Sequence, residues 1–164
     1  LVSDHKTSGE SWDKWLTTTD GQKLAKRWSK LAKCYVKMAN TEMIWANVDE
    51  MNSDRDRVVT WNWCTRKDGI SWDQLSAKHR SVAASAGDNL SNIGWAAFYP
   101  HLGGANAPGE YAHIVHYPDV EALMKRGARH AQGGWRGLDD YYTSYANCSG
   151  ESASLETILY QPGD

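Results

Sequence analysis

The chain has 164 residues, 41% of them hydrophobic, which is length enough for a core of one domain or one and a half. A net charge of −2 and a pI near 6.3 exclude a dedicated nucleic-acid binder, and no apolar run approaches the roughly 18 residues of a membrane helix. Nine Trp and eight Tyr stand against one Phe, a bias expected where rings are partly wet or must reach a polar partner.

Residues 1–10 are polar and read as loose. Ser11-Trp12-Asp13 has the form of a helix start, with Ser11 as N-cap. Trp15, Leu16, Leu24, Trp28, Leu31, Tyr35 and Met38 then recur at helical spacing, with an interruption near Asp20-Gly21. Residues 42–48 read as a strand and 49–57 as a charged connection. Val58 to Thr65 is the clearest strand, rich in β-branched and aromatic residues. Lys67-Asp68-Gly69 ends it in a turn. Ser71-Trp72-Asp73-Gln74 is a capping-box signature and predicts a helix from about Trp72 to Ala86, stopped by Gly87-Asp88-Asn89. Residues 93–101 and 111–117 are two further strands around a Gly/Pro loop. Asp119, after Pro118, caps a long helical stretch to about Tyr145, broken near Gly133-Gly134. A last strand is expected over residues 155–160, closed by Pro162-Gly163.

From residue 57 the order is β-α-β-β-α-β, which predicts an α+β, ferredoxin-like antiparallel sheet with both helices on one face. The preceding α-β, residues 1–52, matches the second half of the same plan. Trp28-Ser-Lys-Leu-Ala-Lys-Cys-Tyr35 is echoed at Trp135-Arg-Gly-Leu-Asp-Asp-Tyr-Tyr142, 107 positions later. This organisation predicts a partial repeat over 1–52, a complete domain over 57–164, and further sequence upstream of Leu1. The two tryptophans of the echo are expected to lock helices onto sheets.

Three cysteines, Cys34, Cys64 and Cys148, cannot all pair within one chain and show no zinc-ligand spacing. A reducing, cytoplasmic setting is the simpler expectation. Asn89-Leu-Ser91 and Asn147-Cys-Ser149 match the glycosylation acceptor pattern, which matters only in a secreted protein. No phosphate-binding glycine loop, nucleophile elbow or metalloprotease helix motif occurs.

Tyr117-Pro-Asp-Val-Glu-Ala-Leu-Met124 joins a strand end to an acidic helix start and an apolar pair, and Gly9-Glu-Ser-Trp-Asp-Lys-Trp-Leu16 resembles the same junction. On these residues and on its element order, the chain resembles the dimeric α/β-barrel superfamily, which includes antibiotic-biosynthesis and heme-degrading monooxygenases. The resemblance implies that the helix-free sheet face closes against a second sheet into a barrel, making a homo-oligomer around a cavity. It further implies a polar residue on the first strand and a His on the second helix facing that cavity. Asn62 and His130 occupy those places. The heme-degrading branch carries a Trp near the start of that helix, where this chain has Val120, Ala122 and Leu123.

Side-chain alternation then assigns faces. Asn62 lies opposite Trp61 and Trp63, so either the tryptophans or Asn62 line the cavity; Asn62 is preferred. Small residues Gly94 and Ala96, with Phe98, are expected against the helices, which turns Trp95 and Tyr99 to the cavity, with His101 continuing their face. His113 and His116 point to opposite faces of their strand, and His113 is the better candidate for proton transfer. The leading expectation is a cofactor-independent monooxygenase acting on a flat, apolar or aromatic small molecule. Asn62 would orient substrate or dioxygen, His113 or His130 would move protons, and Trp61, Trp63, Trp95 and Tyr99 would shape the pocket. The alternatives are a non-catalytic ligand-binding or assembly module using the aromatic sheet face, and a heme protein with His130 as axial ligand among Arg126, Arg129 and Arg136.

Overall fold

The computed structural model describes residues 3–33, 37–53, 56–86 and 90–158. Cys34 and Tyr35, the Gly87-Asp88-Asn89 stop with its acceptor asparagine, and Pro162-Gly163 lie outside them. The chain forms two compact units, residues 1–37 and 38–164. The strand expected to complete a separate first repeat belongs instead to the sheet of the second unit.

The first unit is a pair of helices, α1 (His5–Thr17) and α2 (Thr19–Trp28). The first starts well before Ser11 because Asp4 is a better cap: its Oδ1 accepts from the Thr7 amide at 2.9 Å and its Oδ2 from the Thr7 hydroxyl at 2.7 Å. The break falls at Thr18, whose hydroxyl accepts from the Gly21 amide at 3.2 Å. A Cβ on Gly21 would sit 2.3 Å from the Trp15 carbonyl oxygen, so this tight corner requires glycine. Neither helix buries a residue, and Trp28 is about half exposed.

The second unit is α+β. Its strands are β1 (Ala39–Ala46), β2 (Asp56–Arg66), β3 (Gly94–Pro100), β4 (Tyr111–Tyr117) and β5 (Ala146–Thr157). They form one antiparallel sheet in the order β1-β3-β4-β2-β5. The sheet is open, with β1 and β5 at its edges, and does not close into a barrel within the chain. Its helices are α3 (Val48–Ser53), α4 (Trp72–Ala86), α5 (Val120–Arg129) and α6 (Trp135–Ser144), with a π-helical turn His130–Gly134 between the last two.

The local signals explain most of these boundaries. The Ser71 amide donates to Gln74 Oε1 at 2.8 Å and the Gln74 amide to Ser71 Oγ at 3.2 Å, the reciprocal bonds of a capping box. Asp119 Oδ1 accepts from the Ala122 amide at 2.7 Å and starts α5. Gly133, at φ +111°, lies outside the reach of most side chains and marks the break before α6. Trp135 is 45% exposed, under the Arg136 guanidinium, so it does not lock its helix onto the sheet.

Two further findings depart from expectation. β5 begins at Ala146, far ahead of residue 155, and runs beside almost the whole of β2. It has little apolar alternation because most of it is an exposed edge. Cys64 and Cys148 face each other in this register and form a disulfide. Two of the three cysteines thus pair, which the expectation of a reducing compartment did not include.

Candidate functional site

One face of the sheet, at Asn62, Cys64, Trp95, Tyr99, Tyr111 and His113, is turned to the helices. Leu75 of α4 and Tyr141 of α6 pack with Cys64 and Tyr111 in a buried cluster. The expected face assignment is therefore reversed for β3 and β4. The small-residue side of β3 meets only the short helix α3, while α4, α5 and α6 cover the opposite face. Gly94 makes room for Met51 of α3, whose sulfur would lie 2.7 Å from a Cβ at that position. Ala112 is sealed between its register neighbours Trp63 and Phe98.

The helix side is lined by rings that satisfy one another's polar atoms. Trp95 Nε1 donates to His113 Nδ1 at 3.0 Å. An indole N–H can only donate, so His113 Nδ1 accepts and the neutral ring carries its proton on Nε2. That nitrogen lies 3.0 Å from the Tyr141 hydroxyl. His79 Nε2 reaches the same hydroxyl at 2.8 Å, and the Tyr111 hydroxyl is bonded to it as well. A hydroxyl gives one hydrogen bond and accepts two, so these three partners saturate Tyr141. Nδ1 of His79 is buried and has no hydrogen-bond partner among the described residues. The least costly arrangement leaves it a bare lone pair, with Nε2–H donating to Tyr141 and Tyr141 donating to Tyr111.

Burial sets the charge state of this network. It lowers His79 to a pKa of about 4 against a weak opposing pull from Glu42, and lowers His113 to about 3, with the neighbouring His79 adding in the same direction. Burial raises Tyr111 to about 12 and pushes Tyr141 and Tyr99 further up. Every member is neutral at pH 7. At the margin, Tyr99 donates to Glu42 Oε2 at 3.1 Å, and Glu42 Oε1 accepts from Ser76 at 2.7 Å and Arg80 at 2.9 Å. Burial raises the Glu42 carboxyl, but these three hydrogen bonds outweigh it and hold the group below its ordinary value.

The other face carries Trp61, Trp63 and Phe98. The two indoles stack at 6.5 Å between ring centres, and Phe98 meets each of them edge-on at 5.4 and 6.1 Å. All three rings are half-buried. Towards the other end of that face, His116 Nδ1 lies 3.2 Å from Glu156 Oε2, and the Arg57 guanidinium donates to the Met51 carbonyl of α3. Burial lowers the His116 pKa and outweighs the upward pull of Glu156.

No family model, curated protein or solved structure matches the chain.

The structure divides the expected site residues. Trp61 and Trp63 meet on one face, while Trp95, Tyr99 and His113 join His79, Tyr111 and Tyr141 on the other. Asn62, expected on the helix-free face, turns instead to the helices. It is buried, donates to the Tyr142 hydroxyl at 3.2 Å, and accepts from the Gly150 amide at 3.1 Å. It thus ties α6 to β5 beside the register shift at Asn62/Cys64. His101 is exposed beyond β3, its amide bonded to the Met38 carbonyl at 2.8 Å. His130 is exposed at the end of α5, and Arg126 is committed to Glu151 in a two-pronged pair. These residues do not fit a heme held by His130 with arginines on its propionates. His79 and Tyr141 carry no motif of their own, but His79 shares a helix face with buried Leu75 four residues earlier, a signal in the sequence that points to it.

Proposed function

We propose that the chain is a non-catalytic assembly module that pairs the Trp61/Trp63/Phe98 face of its sheet with the same face of a second copy. The observation that carries this reading is the segregation of chemistry across the sheet. Trp61, Trp63 and Phe98 form a half-buried aromatic layer on one face, whereas Asn62, His79 and His113 are consumed by partners on the other. A monooxygenase of the expected kind would need Asn62 and His113 beside its substrate, and both bond to helix residues instead.

The order β3-β4-β2-β5 is the order of a split βαβ plan, which supports a ferredoxin-like reading and the likeness to dimeric α/β barrels. An open sheet with a stacked aromatic layer is suited to sheet-on-sheet closure, in which inner-face side chains interdigitate. Sedimentation equilibrium tests the proposal. The 18.4 kDa chain is expected to weigh as a dimer at high micromolar concentration. Phe98→Glu, which buries a charge at the contact, should weaken the dimer by at least about thirtyfold while leaving far-UV circular dichroism unchanged. A wild-type chain that stays monomeric, or a Phe98→Glu variant that is folded and still dimeric, refutes it.

A further inference from the structure

At the β1 edge of the second unit lies a pocket of about 580 Å³, within the size range of small-molecule sites. The sequence builds it in three steps. β1 carries a bulge between Met43 and Trp45, and both Ile44 and Trp45 line the pocket, a common use of a bulge to re-aim side chains. Across from them α4 presents Ala83 and Ala84, whose short side chains leave the space open. The remaining wall comes from Glu50 at the start of α3 and from Asn92 before β3.

The charges favour one kind of occupant. Arg80 also lines the pocket, but its guanidinium is paired with Glu42 at 2.9 Å. Glu50 Oε2 accepts from Asn47 Nδ2 at 3.0 Å, a neutral donor, and Glu50 has no ion pair among the described residues. Its neighbour Asp49 adds a second negative charge in the first turn of α3. Asn92 is about nine-tenths buried and donates Nδ2 to the Gly94 carbonyl at 3.3 Å. That bond fixes the amide's orientation and leaves Oδ1 as an acceptor. An indole, apolar walls, one carboxylate without an ion pair among the described residues and the amide carbonyl of the largely buried Asn92 together suit a primary ammonium on an apolar body. The cation would gain from both the carboxylate and the indole face.

We infer that this pocket is a binding site for a small organic amine, the ammonium held by Glu50 and Asn92 and the apolar body packed against Trp45 and the alanines of α4. The inference stands apart from the assembly proposal, since none of these residues lies on the Trp61/Trp63/Phe98 layer. Phenethylammonium and its neutral counterpart 2-phenylethanol are suitable probes, followed by amide and indole N–H shifts in NMR of the full chain, with the Trp45 indole assigned through Trp45→Phe. Phenethylammonium is expected to move the Trp45 indole signal and the amides of Ala83 and Ala84, and to bind about tenfold tighter than the alcohol. Glu50→Gln, which can still accept from Asn47, should bring that ratio close to one. Ala83→Phe, which fills the space without changing charge, should abolish both titrations. No shift at several millimolar amine, shifts confined to Trp61 and Trp63, or a ratio unchanged in Glu50→Gln would each overturn the inference.

Discussion

Acidification from pH 7 to pH 4 is expected to remove several kcal/mol of folding free energy from the second unit. His79 and His113 are held neutral by burial, with pKa values of about 4 and 3 against an ordinary 6.5. In the unfolded chain both rings take up protons as the pH falls through 6.5, whereas in the folded chain they do not. The folded state therefore binds fewer protons, and stability is intact above pH 6.5 and falls steadily towards pH 4. For His79, whose ring is sealed, the loss at pH 4 is on the order of 3 kcal/mol. The half-buried His113 adds a smaller amount, and His116, also lowered, acts in the same direction.

Urea unfolding at pH 7, 5.5 and 4.5, followed by tryptophan fluorescence, measures this directly. The window above pH 4.5 separates the histidines from Glu42 and Glu110, whose depressed carboxyls contribute stability that is lost only at lower pH. His79→Gln keeps a hydrogen-bonding group beside Tyr141 and does not titrate, so it should flatten the slope to roughly half. Tyr141→Phe leaves His79, His113 and Tyr111 without their shared partner and should cost about 2 to 4 kcal/mol at pH 7. A free energy that stays level between pH 7 and 4.5 would mean that the imidazoles are hydrated and the network is open.

That network also explains how far the sequence could be read. The capping box at Ser71, the Asp119 cap, the β-branched run of β2 and the boundaries of β4 follow from local chemistry, and all four were legible. The assignment of faces was not. It assumed that small residues face helices and that Trp, Tyr and His face a wet cavity. Here the helix side holds Trp95, Tyr99, Tyr111 and His113, because their polar atoms find partners in one another, in α6 and, for Tyr99, in Glu42 of β1. Alternation shows which residues share a face, but which face meets the helices depends on partners such as His79 and Tyr141, far away in sequence. β5 was misplaced for a related reason. An edge strand wet on most of its surface needs no apolar period, and its pairing with β2 is fixed by backbone bonds and by a disulfide.

Breaking the Cys64–Cys148 disulfide is expected to be the most costly single change to this unit. The bond joins residues 84 apart in sequence, and in the chain-entropy account a loop of that length stabilises by about 4 to 5 kcal/mol. Cys64 is buried beside Leu75, Tyr111 and Tyr141, so opening the bond also loosens the packing under the His79–Tyr141 network. The disulfide clamps β5 to β2 next to the register shift where Asn62 holds the Gly150 amide, leaving that shift to one asparagine once it is gone. Cys64→Ala with Cys148→Ala isolates the cross-link, because alanine adds no buried polar group. The melting temperature of the double variant should fall by about 10 °C or more. Dithiothreitol should lower the wild-type value by a similar amount and leave the variant unchanged. Thiol titration of the unfolded, unreduced chain should count one thiol, from Cys34. Three thiols in that titration, or a double variant as stable as wild type, would remove the disulfide from the account of how β5 is held.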